Sequence, residues 1–146
     1  MDFGFSEEQE MLRRAARDFL TKECPPKTVR RLMEGEDAYD PALWRRIAEL
    51  GWTALGIPEE YGGVGTFLDL VVVLEEAGRA LLPGPFFATM GLAVPALVES
   101  GTEAQKKEVR KRTQSRSYEP SMANICALIV WAWLASGLSE SCPSAQ

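Results

Sequence analysis

A chain of 146 residues is long enough to bury one core without staples. Its net charge is −5, with no basic excess over the first hundred residues, which argues against phosphate-backbone binding and so against nucleic acid as a partner. It has no histidine, which excludes His-based triads and the commonest metal ligand, and its three cysteines (Cys24, Cys126, Cys142) form no CxxC pair, so neither a disulfide framework nor a zinc site is indicated.

This cysteine usage predicts a reducing, cytoplasmic setting. The opening Met1-Asp2-Phe3-Gly4-Phe5 lacks a basic flank and an apolar run, so no signal peptide is expected. Ser6 with Gln9 three residues on reads as a capping box, and Glu7, Glu8 and Glu10 complement the positive end of a helix dipole. Met11, Leu12, Ala15, Ala16, Phe19 and Leu20 recur at helical spacing, while Arg13, Arg14, Arg17 and Asp18 fill the other face. The pair Pro25-Pro26 ends this amphipathic helix. Lys27 to Met33 form a second, short one, followed by a polar loop from Glu34 to Tyr39. Asp40 is a suitable N-cap and Pro41 the favoured first residue of a third helix, with Leu43, Trp44, Ile47 and Leu50 apolar and Gly51 as its stop.

The stretch Gly51 to Gly65 cannot be a regular helix. It holds five glycines and a proline, which cost helix about 1 and about 3 kcal/mol each. Trp52, Leu55, Ile57 and Tyr61 interleave with these breakers, so the loop is expected to pack into the core rather than hang loose. Thr66 then caps a run (Phe67, Leu68, Leu70, Val71, Val72, Val73, Leu74) apolar nearly all round, which predicts a helix buried on most faces, with Glu75, Glu76 and Arg79 as its wet edge and Pro83-Gly84-Pro85 as its stop. Burial is expected for Trp44, Trp52, Leu70 and Val73. A fifth helix, from about Phe86 to Val98, is rich in small residues that allow close approach, and Pro95 is placed to kink it. Thr102 caps a sixth, charged helix from Glu103 to about Arg112, whose Lys106, Lys107, Arg110, Lys111 and Arg112 read as a solvated face.

After about Arg112 the composition changes: seven serines fall in the last 34 residues against two in the first 112. The division is therefore residues 1–112 as a helical domain and 113–146 as a divergent tail. Met122 to Leu138 is an apolar run of roughly 17 residues, at the lower limit for spanning a bilayer. It is expected to fold back or self-associate rather than enter a membrane.

Phe5-Ser6-Glu7-Glu8-Gln9, the Leu43-Trp44 to Gly51-Trp52 helix and turn, Ile57-Pro58-Glu59-Glu60-Tyr61-Gly62-Gly63-Val64-Gly65, Glu75-Glu76-Ala77-Gly78-Arg79 and Gly101-Thr102-Glu103-Ala104-Gln105-Lys106-Lys107 stand in an order and spacing that resemble the N-terminal domain of an acyl-CoA dehydrogenase, over residues 1 to about 109. The resemblance implies an all-α fold, an orthogonal or up-down bundle of five or six helices, with the apolar C-terminal segment unmatched. In the complete family fold a β-domain and a second helical bundle follow. There a glutamate removes the α-proton of an acyl-CoA and the β-hydride passes to FAD, giving the 2,3-enoyl-CoA. The glutamate and most of the flavin site lie in those later domains, so no catalytic or cofactor-binding residue is assigned here and FAD retention by this chain alone is not expected. Phe86, Phe87, Met90 and Gly91 lie on the helix that in the family forms the wall beside the acyl chain, and they are the candidate substrate residues, with core packing as the competing reading.

Glu59 and Glu60 are adjacent carboxylates that point apart and read as surface turn residues. The loop glycines do not follow the strand, Gly-x-Gly-x-x-Gly and helix order of a dinucleotide fingerprint. Two functions therefore compete: the N-terminal part of a FAD-dependent acyl-CoA dehydrogenase, inactive by itself, and a non-catalytic helical interaction or oligomerisation module.

Overall fold

The computed structural model describes residues 4–35 and 39–107. The predicted tail and its apolar run lie outside the described residues. Five α-helices follow in order: α1 (Glu7–Glu23), α2 (Pro26–Glu34), α3 (Pro41–Glu49), α4 (Phe67–Arg79) and α5 (Val94–Ser100), with a π-helical segment, Phe87–Ala93, running directly into α5. A sixth helix begins at residue 103 and is described through 107. There is no strand among the described residues, only an isolated parallel bridge between Leu55 and Val64.

The local signals act as expected. Ser6 and Gln9 close a capping box on α1, and Asp40 accepts from the Ala42 and Leu43 amides at the start of α3. Thr66 and Asp69 form a second box at the start of α4. Gly51 ends α3 in the left-handed region (φ 79°) that favours glycine.

Helices α1 and α4 lie side by side and parallel, because their contacts advance together along both. Gln9 Nε2 donates to Asp69 Oδ1 (3.2 Å), Arg13 pairs with Glu75 (2.8 Å), Arg17 pairs with Glu76 (2.6 Å), and the Cys24 thiol reaches the Ala80 carbonyl (3.9 Å). A parallel pair needs a long return, which α2, α3 and the glycine loop supply.

That loop is packed down. Trp52, Leu55, Ile57 and Tyr61 are all buried, in two short 3₁₀ turns, Trp52–Ala54 and Glu59–Tyr61. Trp52 meets Phe19 of α1 edge-on at 5.3 Å and Phe86 at 6.2 Å, and Trp44 of α3 meets Phe86 at 6.4 Å. Three helical layers thus converge on one aromatic cluster. The Tyr61 hydroxyl, donating to the Glu103 carboxylate (2.9 Å), ties the loop to the sixth helix, and the carboxylate beside it holds the phenol up at about 12.

Trp44, Trp52, Leu70 and Val73 are buried as predicted. Three expectations need correction. Helix α4 is not buried on most faces: Phe67, Leu68 and Val71 stand exposed. Its expected wet edge is split, since Glu76 is only 1 % exposed while Glu75 stays at the surface. The fifth helix is not one α-helix kinked at Pro95. Proline has no N–H to give the carbonyl four residues back and its ring crowds that carbonyl, here Gly91. The chain widens by one residue just upstream instead, with the Val94 amide bonding Thr89 O, five residues back.

Candidate functional site

Helix α4 carries two apolar stripes. Leu70, Val73 and Ala77 face inward and join the core with α1 and the aromatic cluster. Phe67, Val71 and Leu74, at i, i+4 and i+7, run along another side, the first two exposed and Leu74 half-buried. The stripe leads to the π-helical segment. A Cβ added at Gly91 would meet the Phe87 ring at 3.1 Å and Leu74 Cδ1 at 3.4 Å, so Leu74, Gly91 and Phe87 adjoin. The outcome is a continuous apolar strip from Phe67 to Phe87, with Phe87 itself 61 % exposed. A substantial exposed apolar surface on a helical domain marks something that covers it or binds it.

The four candidate wall residues do not share one face. Phe86 (2 % exposed) is sealed inside the aromatic cluster and Met90 (0 %) lies in the core. Phe87 and Gly91 lie on the strip. The structure therefore brings two of the four to a surface and uses the other two to hold it. Sequence periodicity missed Phe67, Val71 and Leu74, and the only signal for them was the second i, i+4, i+7 series in a helix with two apolar faces. It also did not single out Thr89, fully buried on the π turn with a hydroxyl that no described residue bonds.

The charged centre of the domain is Glu76. Its carboxylate accepts from Arg17 Nη2 (2.6 Å) and Nε (3.1 Å) and from Arg79 Nε (2.6 Å), with Arg13 Nε at 3.5 Å. The Arg17 guanidinium chiefly, against the opposing effect of burial, holds this carboxyl down at about 2. Sequence reading placed Arg13 and Arg17 on a polar outer face. Their i, i+4 spacing opposite Glu76-x-x-Arg79 was the available clue. All of these groups serve one another, so the network clamps α1 to α4 and offers no free base.

Glu59 and Glu60 are exposed, as read from their adjacency, and lie on a 3₁₀ turn. The glycine loop does not fit the diphosphate of a dinucleotide. Its amides are spent internally: Gly62 on Glu59 O, Gly63 on Pro58 O, Val64 on Ala54 O and Gly56 on Val64 O. Gly63 is required for close packing, since a Cβ there would collide with the Ile57 carbonyl. No group of acidic or cysteine side chains among the described residues could hold a metal ion.

Residues 6–116 match the family model for the N-terminal domain of acyl-CoA dehydrogenases. The chain is 46 % identical over 106 residues to acyl-CoA dehydrogenase IpdE2 of Mycolicibacterium smegmatis, covering 71 % of this chain and 34 % of that protein. It is 32 % identical over 123 residues to the mitochondrial isovaleryl-CoA dehydrogenase of Pongo abelii, covering 82 % and 29 %. The crystal structure of the ChsE4-ChsE5 complex from Mycobacterium tuberculosis superposes with a TM-score of 0.70 at 28 % identity, covering 80 % of this chain and 32 % of that one. The chain spans about a third of the length of these relatives.

Proposed function

This chain belongs to the acyl-CoA dehydrogenase family, as an N-terminal helical domain, and from that membership we propose that it forms the wall beside the acyl chain in a FAD-dependent dehydrogenase of acyl-CoA thioesters. The carrying observation is the continuous apolar strip of Phe67, Val71, Leu74, Gly91 and Phe87, with Phe67, Val71 and Phe87 exposed. Phe87 and Gly91 touch the acyl chain or the structure that encloses it. Phe86 and Met90 fix them from behind, Phe86 through the aromatic cluster and Met90 through the core. Gly91 admits close approach because it has no side chain of its own, between the Phe87 ring and Leu74.

The chemistry of the reaction is supplied elsewhere. The buried carboxylate among the described residues, Glu76, is taken up by arginines and is not free to act as a base, so the part of this domain is to bind, orient and exclude water. The cytoplasm is the proposed setting, with Cys24 kept as a thiol whose burial pushes its pKa up and makes it inert. No described helix is long and apolar enough to cross a membrane.

The test is a visible absorbance spectrum of the purified full chain after incubation with FAD and desalting, with an enoyl-CoA assay using an artificial electron acceptor. The expected result is no retained flavin and no product. Stoichiometric flavin, or enoyl-CoA formed by rigorously pure protein, would overturn the proposal.

The competing reading, a non-catalytic interaction or oligomerisation module, draws on the same exposed strip. Self-association abolished by Val71→Asp, in a chain whose outer face proves indifferent to acyl-CoA, would favour it.

A further inference from the structure

On the side of the domain where the chain turns from α1 into α2, a cleft of about 480 Å³ opens between that corner and the end of α4. Its volume falls within the range of about 300–1,000 Å³ that small-molecule sites occupy. The floor is apolar, made by Leu20, Cys24 and Val29, all buried. Met33 and Leu81 stand at its rim, both well exposed. Leu81 is the one described non-glycine residue with positive φ (53°), a conformation that a bulky side chain adopts only when its surroundings impose it. Two guanidinium groups border this apolar floor. The Arg30 guanidinium makes no ion pair or hydrogen bond with any described residue, and Arg79 spends its Nε on Glu76 while no described residue takes its terminal nitrogens. Lys27 and Arg31 lie on the same short helix α2 and leave its first two turns without an acidic residue. The cleft is thus greasy within and cationic at its mouth.

We propose that this cleft binds a single-chain aliphatic carboxylate, its hydrocarbon laid on Leu20, Cys24 and Val29 and its carboxylate held by Arg30 and Arg79. A planar guanidinium fork matches a carboxylate in a bidentate pair, and a charge-assisted pair of this kind is stronger than a neutral hydrogen bond. The site lies at the α1–α2 corner, away from the strip between α4 and the π-helical segment, and does not depend on the acyl-wall role.

Calorimetric titration of the full chain with decanoate tests it, beside decanol, which has the tail without the charge, and acetate, which has the charge without the tail. Decanoate binds at one site per chain, and decanol and acetate each bind at least about tenfold more weakly. Arg30→Glu reverses the charge at an exposed position and weakens decanoate about tenfold or more. Met33→Trp, also at an exposed position, narrows the cleft and does the same, so neither result rests on a core substitution. Absence of decanoate binding, or decanol binding as well as decanoate, would overturn the proposal. So would binding that survives both variants and falls instead with Phe67→Asp, which would put the ligand on the outer strip.

Discussion

Glu76 decides more than any other single side chain in this domain. A carboxylate at 1 % exposure is tolerable only because three arginines reach it, and the short contacts to Arg17 and Arg79 hold its pKa at about 2 against an ordinary 4.5. A folded-state value below the unfolded one means that the unfolded chain binds the extra proton as pH falls. The stabilisation is therefore present above about pH 4.5 and is lost progressively as pH drops towards 2. Its size is roughly 2–3 kcal/mol at neutral pH, after allowance for solvent screening around the half-exposed arginines. Urea denaturation of wild type and Glu76→Gln across this range is the check. The variant is expected to be less stable by that amount at pH 7, with the gap closing below pH 4.5. A gap that stays constant down to pH 2 would show that the charge contributes nothing.

At the scale of the element, what was legible in the sequence was what local chemistry decides. Ser6 with Gln9, Asp40 with Pro41, and Thr66 each announced a helix start because capping is a matter of three or four consecutive residues. Gly51 announced a stop for the same reason. The packed glycine loop was readable because Trp52, Ile57 and Tyr61 sit too regularly among breakers to be a linker. Orientation was less legible. Helix α4 has apolar residues on two sides, and only the placement of α1 decides that Leu70 and Val73 go in while Phe67 and Val71 stay out. The π turn was hidden because Pro95 announces an interruption without saying whether the chain bends or widens. The inward assignment of α4 is tested by Leu70→Ala, which is expected to cost about 2–5 kcal/mol by urea denaturation. Val71→Ala, half-exposed on the other stripe, is expected to cost less than about 1 kcal/mol. Equal losses would contradict the two-stripe description.

For the whole molecule, the candidate site was only half legible. The resemblance drew attention to Phe86, Phe87, Met90 and Gly91 as a group, but periodicity cannot separate a residue that lines a surface from one that buttresses it when a π turn shifts the register between them. The structure makes that separation, with Phe87 outward and Phe86 inward, and adds the α4 stripe that completes the face. The domain matches about a third of each relative's length, and the face of Phe67, Val71 and Phe87 stands exposed on it.

The most direct measurement is the acyl-CoA kinetics of a chimera in which residues 6–107 replace the matching segment of the isovaleryl-CoA dehydrogenase relative. Compared with the parent chimera, Phe87→Asp and Gly91→Leu are each expected to lower kcat/KM by about tenfold or more, since a buried charge or an added side chain at an apolar wall costs at least about 1.4 kcal/mol. Flavin content should be unchanged. A folded, flavin-bound chimera whose kinetics are indifferent to both substitutions would contradict the assignment of this face to the acyl chain.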